Sequence, residues 1–343
     1  MKSLTKWAAR PIPAQATKAF DASMTLIAGE LSSVEKKISE QAACFNPEVQ
    51  KYIAYACGGS GKRLRPVLAL LSGGATGEIT AEHLQLALIL ELIHIATLVH
   101  DDIMDEAKLR RGKPTLHAQW GNSVSVLVGD ILFSHALKMA ADFSDSAVCR
   151  RIADAVLEVC SGEILQTKHR FDLALNFSDY YRIVQMKTGA LFSVACELGA
   201  FLNKDDVATS EVFKNYGNNI GVAYQILDDC IDLVGNQEKI GKTLGTDLHG
   251  GKFTLPILML LESVSKADRE KIEELLLSNQ KKDIDALIIK AVEEGPLASA
   301  VKEAVKLLDE ANASLEKVGP NKYVTGLYGV SSYLRGVLET LAC

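Results

Sequence analysis

The chain is 343 residues long, 48% hydrophobic and 23% charged, with 8 prolines, a composition that excludes collagen-like, disordered and small disulfide-scaffold classes. Its 43 acidic and 37 basic residues leave a formal net charge of −6, without the basic footprint that nucleic-acid binding requires. The length would fit two average domains, but large single-core folds also reach it.

Lys2, Lys6, Arg10 and Lys18 precede the first acid, Asp21, with no apolar signal core. Residues 1–20 therefore read as a flexible basic arm ahead of one domain over 21–343, a composition shared with transit peptides. Seven cysteines are scattered without a CxxC pair and read as thiols of a reducing compartment. A cytoplasmic location is the expectation, with organelle targeting as the alternative. Charge breaks every apolar stretch, at Glu91, Asp130 and Glu197, so no membrane-spanning helix is expected.

Turn signals fall at Pro47, Gly58 to Gly61, Gly73 to Gly77, Gly112 to Pro114, Asn176 to Ser178, Gly241 to Gly251, Gly295-Pro296 and Gly319-Pro320. They are too short and evenly spread for a domain linker. No proline interrupts the chain between Pro114 and Pro256, and Phe213, Tyr216, Ile220, Ala223, Leu227, Ile231 and Val234 recur in steps of three and four. That spacing predicts a long buried helix. Strand alternation and Asn-Gly or Asp-Gly hairpins are missing, so the predicted fold is all-α, a single large helical bundle with a central cavity. The polar stretch from 262 to 343 is expected to pack around its outside.

Two aspartate clusters carry the chemistry, Asp101-Asp102-Ile103-Met104-Asp105 and Asp228-Asp229-Cys230-Ile231-Asp232, both reading DDxxD. On a helix, i and i+4 share a face, so each cluster stacks two carboxylates with a third beside them. Such repulsion within apolar sequence calls for a cation, and an all-oxygen donor set suits Mg²⁺ held between carboxylates, water and phosphate. His94 and Thr97 extend the stripe of Asp101 and Asp105, and Gln225 extends the stripe of Asp228 and Asp232.

Basic residues collect nearby as Lys62-Arg63-Leu64-Arg65 after a glycine-rich turn, Arg110-Arg111-Gly112-Lys113, Lys187-Thr188, Lys242 and Lys252. Guanidinium forks and lysine point charges of this kind hold phosphate oxygens. Two diphosphates could be accommodated, one bridged by metal to the aspartates and one gripped directly by Lys62, Arg65, His94 and Arg111. No GxxxxGK[ST] loop is present, which excludes a P-loop NTPase.

With these residues in view, the chain resembles the trans-isoprenyl diphosphate synthases, in particular the polyprenyl, octaprenyl-type branch. The matching motifs are GKRLRP at 61–66, ELIHIATLVHDDIMDEAKLRRGKPT at 91–115, GEILQ at 162–166, MKTGALF at 186–192, YQILDDCIDLVG at 224–235 and GKTLGTDLHGGKFTLPI at 241–257. The resemblance implies the isoprenoid synthase fold, a homodimer, and head-to-tail condensation of isopentenyl diphosphate with an allylic diphosphate such as farnesyl or geranylgeranyl diphosphate. By the same resemblance Asp101 and Asp105, supported by Asp102, look like ligands of two magnesium ions. Asp228, with Asp229 and Asp232 nearby, looks like the site of a third. Arg110, Lys187, Thr188, Gln225, Lys242 and Lys252 resemble the allylic-substrate contacts, and Lys62, Arg65, His94 and Arg111 the isopentenyl diphosphate contacts. Catalysis itself is assigned to Asp101, Asp102, Asp105, Asp228 and Asp229 with Arg110, Lys187 and Lys242.

Family members that stop early carry a bulky aromatic one turn before the first aspartate. Here Ala96 and Thr97 stand there, about 6 to 8 Å below Asp101 at the helical rise, and Phe133 is a candidate deeper floor. The implied product is longer than C20, with release aided by transient membrane contact. The alternatives are a short-chain farnesyl or geranylgeranyl diphosphate synthase, then a class I terpene cyclase or a silent partner subunit. The basic motifs argue against the cyclase, and two whole aspartate clusters argue against the silent subunit.

Overall fold

The computed structural model describes residues 11–59, 61–203, 207–234, 245–278 and 280–341. Ten helices lead to the centre of the fold: α1 (Ala14–Leu26), α2 (Ala28–Glu40), α3 (Pro47–Cys57), α4 (Leu64–Thr76), α5 (Ala81–Met104), α6 (Leu116–Ala140), α7 (Ser146–Lys168), α8 (Phe177–Val184), α9 (Ala190–Phe201) and α10 (Val207–Val234). Beyond them lie the single-turn α11 (Thr246–His249), then α12 (Leu255–Ser263), α13 (Lys266–Ser278), α14 (Lys281–Glu293), α15 (Pro296–Leu315) and α16 (Lys322–Glu339). The all-α expectation holds. Among the described residues the only sheet is a two-residue antiparallel ladder, β1 (Leu109–Arg110) with β2 (Lys113–Pro114).

Local signals start these helices where the physics of capping asks. At α5 the Thr80 N–H donates to His83 Nδ1 at 3.1 Å, while His83 Nε2 lies 3.0 Å from the Gly199 carbonyl and ties α5 to α9. At α8, Asn176 Oδ1 accepts from the Asp179 N–H, satisfying an orphan donor of the first turn. The expected long helix is α10. Phe213, Tyr216 and Ile220 on it have no exposed surface, and Ala223, Leu227 and Val234 are buried, with Ile231 half-buried.

Helices α9 and α10 approach closely because glycine stands at the contact. A Cβ at Gly217 would lie 2.4 Å from the Phe192 carbonyl oxygen, and one at Gly199 would lie 2.4 Å from that of Ala69 on α4. Those neighbours are backbone and cannot turn aside, so Gly217→Ala is expected to cost about 1–3 kcal/mol by overpacking. Chemical denaturation checks this, and an unchanged midpoint would show that the helices part freely.

Four expectations need correcting. The basic arm is not free over its second half, because α1 begins at Ala14. Phe20 stacks on Tyr333 with ring centroids 4.5 Å apart, and Ser23 Oγ donates to the Gly326 carbonyl at 2.8 Å. Residues 1–10 lie outside the described residues. The last quarter of the chain is not an outer layer either. Ala300, Ala304, Leu308, Ala311 and Leu315 of α15 are fully buried beside α10, and the Tyr216 hydroxyl donates to the Leu327 carbonyl of α16. Its abundant Lys and Glu occupy the outward face of amphipathic helices whose inner stripe completes the core.

Third, α6 is long and apolar enough by composition to cross a membrane, which the charge count missed. Its backbone departs from helix at Gly121 (φ 82) and one side packs along α5. Fourth, a hairpin does exist. Arg111 (φ 52) and Gly112 (φ 75) form its two central positions, both in the left-handed region, as a type I′ turn demands. Arginine is an unusual occupant of such a position, so no Asn-Gly or Asp-Gly pair marked the hairpin.

Candidate functional site

Asp101 and Asp102 lie in the last turn of α5, Asp105 is its C-cap, and Asp228, Asp229 and Asp232 lie in the last two turns of α10. These are the negative ends of two helix dipoles, where carboxylates are least favoured. The protein answers with cations from other segments. Arg110 of the hairpin reaches Asp102 Oδ1 through Nε at 2.8 Å and Nη2 at 2.7 Å. Lys252 Nζ lies 2.8 and 3.1 Å from the two oxygens of Asp105, and Arg170 Nη2 lies 3.0 Å from Oδ1 of the same residue. Lys187 is paired with Glu163 and donates to Gln166 Oε1 at 2.9 Å.

The electrostatics divide the first cluster. Burial pushes the Asp101 carboxyl up to about 6, against the pull of Lys187 and with help from Glu163 and Asp105. Burial also acts on Asp105, but Lys252, Lys187 and Arg170 outweigh it and hold that carboxyl below its ordinary range. Asp102 is spent on Arg110, so the faces toward Lys187 and Lys252 belong to Asp101 and Asp105.

The second cluster divides as well. Asp229 is buried and accepts from the Tyr180 hydroxyl at 2.6 Å and from Gln225 Nε2 at 2.9 Å, while Thr188 Oγ1 donates to Gln225 Oε1 at 2.6 Å. Burial, then Asp247, pushes its carboxyl up to about 7 against the Tyr180 and Gln225 hydrogen bonds. Asp232 accepts from Thr246 Oγ1 at 2.9 Å and from the Asp247 N–H at 3.1 Å. It therefore starts α11, which leaves Asp228 as the half-exposed member of the cluster. The donor chemistry fits a divalent cation. Oxygens of Asp101, Asp105 and Asp228 could each supply a ligand, with phosphate and water completing the shell, and no full protein cage is needed. Among the described residues no three such groups already converge.

Lys187 and Thr188 sit in a π-helical turn, Gln185–Gly189, a device frequent at functional sites. A Cβ at Gly162 would strike the Lys187 nitrogen at 2.7 Å, so the glycine of GEILQ lets α7 seat this turn. Lys187, Lys252, Gln225 and Asp229 surround a small cavity of about 30 Å³.

On the adjoining face of α5 a larger cavity of about 290 Å³ is bounded by His94, Arg110 and Arg111 on its polar side and by Ile95, Leu98 and Val99 on its apolar side. Burial, then the surrounding Arg65, Arg110 and Arg111, holds His94 well below the usual histidine range, so it is neutral. Arg65 is buried with its guanidinium carbon 4.6 Å from the centre of the Phe192 ring, and its Nε has no hydrogen-bond partner. An orphaned donor on a buried cation beside neutral His94 fits an incoming anion.

Not every expected residue joins these sets. Lys62 is exposed and turned to the C-terminal helix, its Nζ 2.9 Å from the Tyr333 hydroxyl and 4.6 Å from the ring centre. Lys242 lies outside the described residues. Ala96 has no exposed surface, whereas Thr97 is half-buried. Phe133 is set against the ring of His100 at 5.8 Å, the residue before Asp101, and so stands beside the aspartates' turn and not deeper. Sequence reading missed Arg170, Tyr180 and the Arg63–Glu91 pair. Arg63 and Glu91 each left a trace, one in the basic run 62–65 and the other as a lone acid in an apolar run, but nothing in the sequence paired them.

Residues 46–294 match a family model described as Polyprenyl synthetase. The chain is 33% identical over 264 residues to the short chain isoprenyl diphosphate synthase of Methanothermobacter thermautotrophicus, covering 76% of this chain and 80% of that one. It is 31% identical over 310 residues to the octaprenyl diphosphate synthase of Escherichia coli, covering 89% and 95%. The crystal structure of a polyprenyl synthase from Caulobacter crescentus CB15, complexed with calcium and isoprenyl diphosphate, superposes with a TM-score of 0.88 at 31% identity, covering 92% of this chain and 97% of that one.

Proposed function

This chain belongs to the polyprenyl synthetase family, and from that premise we propose that it is a magnesium-dependent trans-polyprenyl diphosphate synthase, adding isopentenyl diphosphate head-to-tail to an allylic diphosphate. The observation that carries the reading is the pairing of two different anion sites. One faces the carboxylates of Asp101, Asp105 and Asp228. The other, at His94, Arg65 and Arg111, has its nearby acids Asp102 and Glu91 already neutralised by Arg110 and Arg63. A terpene cyclase needs only the first.

Three magnesium ions, when bound, would neutralise the leaving diphosphate so that the allylic C–O bond can ionise. Lys187 and Lys252 stand beside Asp101 and Asp105 and add positive charge where the diphosphate charge develops. Gln225, itself held by Thr188, fixes Asp229. Arg65, Arg111 and neutral His94 fix the isopentenyl diphosphate so that its double bond faces the allylic carbon, and the apolar wall of Ile95, Leu98 and Val99 excludes water from the cation. The departing diphosphate takes the proton, as the resemblance to the trans-isoprenyl diphosphate synthases implies.

The test is incubation with Mg²⁺, labelled isopentenyl diphosphate and geranyl, farnesyl or geranylgeranyl diphosphate, with products sized by mass spectrometry. A ladder ending above C20 supports the reading. Products stopping at C15 or C20 support the chemistry and overturn the chain length. No incorporation with any primer overturns the synthase.

We also propose a homodimer. Val126 and Leu127 of α6 are 42% and 61% exposed, and Leu157 and Ile164 of the neighbouring α7 are 65% and 69% exposed, an apolar surface that a second copy would cover. Leu127→Glu is expected to turn the dimer into monomer by sedimentation velocity. A wild-type protein that sediments as a monomer overturns the assignment.

A further inference from the structure

Two residues before Arg65, whose role the diphosphate chemistry accounts for, Arg63 remains without one. Its side chain is 7% exposed, and its backbone is left-handed (φ 50, ψ 41) at the N-cap of α4, a conformation that bulky L-residues rarely adopt. The guanidinium donates from Nε and Nη2 to the two oxygens of Glu35 on α2 at 2.7 and 3.2 Å. From Nη1 it donates to Glu91 Oε1 on α5 at 2.7 Å, and from Nη2 to the Gly59 carbonyl at 2.8 Å. Four donor contacts to two carboxylates and a carbonyl leave this arginine neutralised, so it is no anion ligand even though it borders the larger cavity.

What those contacts do is fix geometry. Glu91 lies three residues before His94 and so shares its face of α5. Gly59 is held at the start of the loop whose Gly61 seats Arg111, since a Cβ at Gly61 would lie 2.9 Å from Arg111 Nη1. We infer that Arg63 is the positioning residue of the second diphosphate pocket, locking the glycine loop to α2 and α5 so that Arg65, His94 and Arg111 hold a common spacing. The inference rests on the reading of that cavity as the isopentenyl diphosphate site.

The test compares KM for isopentenyl diphosphate with KM for the allylic diphosphate in two variants. Because removing Arg63 alone would strand buried Glu91, Arg63→Met is combined with Glu91→Leu, which leaves only the partly exposed Glu35 unpaired. Glu35→Gln keeps the buried pair and loosens the clamp at one end. The expected result is a KM for isopentenyl diphosphate raised about tenfold in the double variant and about threefold in Glu35→Gln, with allylic KM and thermal midpoint near wild type. A folded double variant with wild-type isopentenyl KM overturns the inference, and so does an equal rise in both KM values, which would mark general loosening. Wild-type turnover is the internal control: its absence overturns the proposed function and this inference with it, whereas its presence beside unchanged variants counts against Arg63 alone.

Discussion

Asp101→Asn is expected to lower kcat by about a thousandfold while leaving the fold intact, since removing preorganised stabilisation of developing charge costs at least two to three orders of magnitude. The substitution keeps the shape of the side chain and removes the carboxylate that burial already strains, pushed up to about 6. Relief of like charge at the C-terminal end of α5 makes the variant as stable as wild type or more so, by about 0.3–1 kcal/mol. The magnesium concentration for half-activation rises in parallel, and KM for isopentenyl diphosphate stays near wild type because Arg65, His94 and Arg111, which border that cavity's anion site, are unchanged. Asp232→Asn separates the two halves of the argument. That carboxylate accepts from Thr246 and the Asp247 N–H, so its loss is expected to cost about 1 kcal/mol of stability and far less activity. Steady-state assays with a magnesium titration, beside thermal melts, distinguish the cases. An Asp101→Asn enzyme within tenfold of wild type would remove the first cluster from the chemistry.

The sequence announced this site because its signal is compositional: six aspartates inside apolar helices have no bland explanation, and their spacing alone places them on two faces. The positions that depend on distant partners were not legible in the same way. Arg63 and Arg65 are two residues apart and chemically identical, and only the presence of Glu35, Glu91 and Gly59 around one of them separates clamp from ligand. The spacing sets Asp102 beside the Asp101–Asp105 face but does not show its partner, which appears only when the hairpin brings Arg110 to Asp102 and the segment after α11 brings Lys252 to Asp105. The Arg111-Gly112 turn and the π-helical turn at Lys187 escaped because both break local propensity in favour of the site. Helix α1 escaped for a different reason. Its apolar stripe is short, and it is stabilised by Tyr333 and Gly326 more than three hundred residues away.

Product length offers the second large effect, at Thr97. The expected result for Thr97→Phe is a product distribution collapsed to about C15–C20, with the first condensation within a few-fold of the wild-type rate. Thr97 lies one turn beneath Asp101, about 6 Å along the axis, and keeps accessible surface, its hydroxyl donating within the helix to the His94 carbonyl at 2.7 Å. An aromatic ring there would stand in the path of a tail leaving the metal-facing aspartates. Ala96, its neighbour, cannot serve the same purpose, because with no exposed surface a phenylalanine would overpack the core at a cost of about 1–3 kcal/mol. The pair of variants therefore separates a blocked path from a damaged bundle: Thr97→Phe shortens the product at an unchanged melting temperature, and Ala96→Phe lowers the melting temperature. Mass spectrometry of products from farnesyl diphosphate reads the outcome, and a Thr97→Phe enzyme that still makes the wild-type ladder would place the tail elsewhere in the bundle.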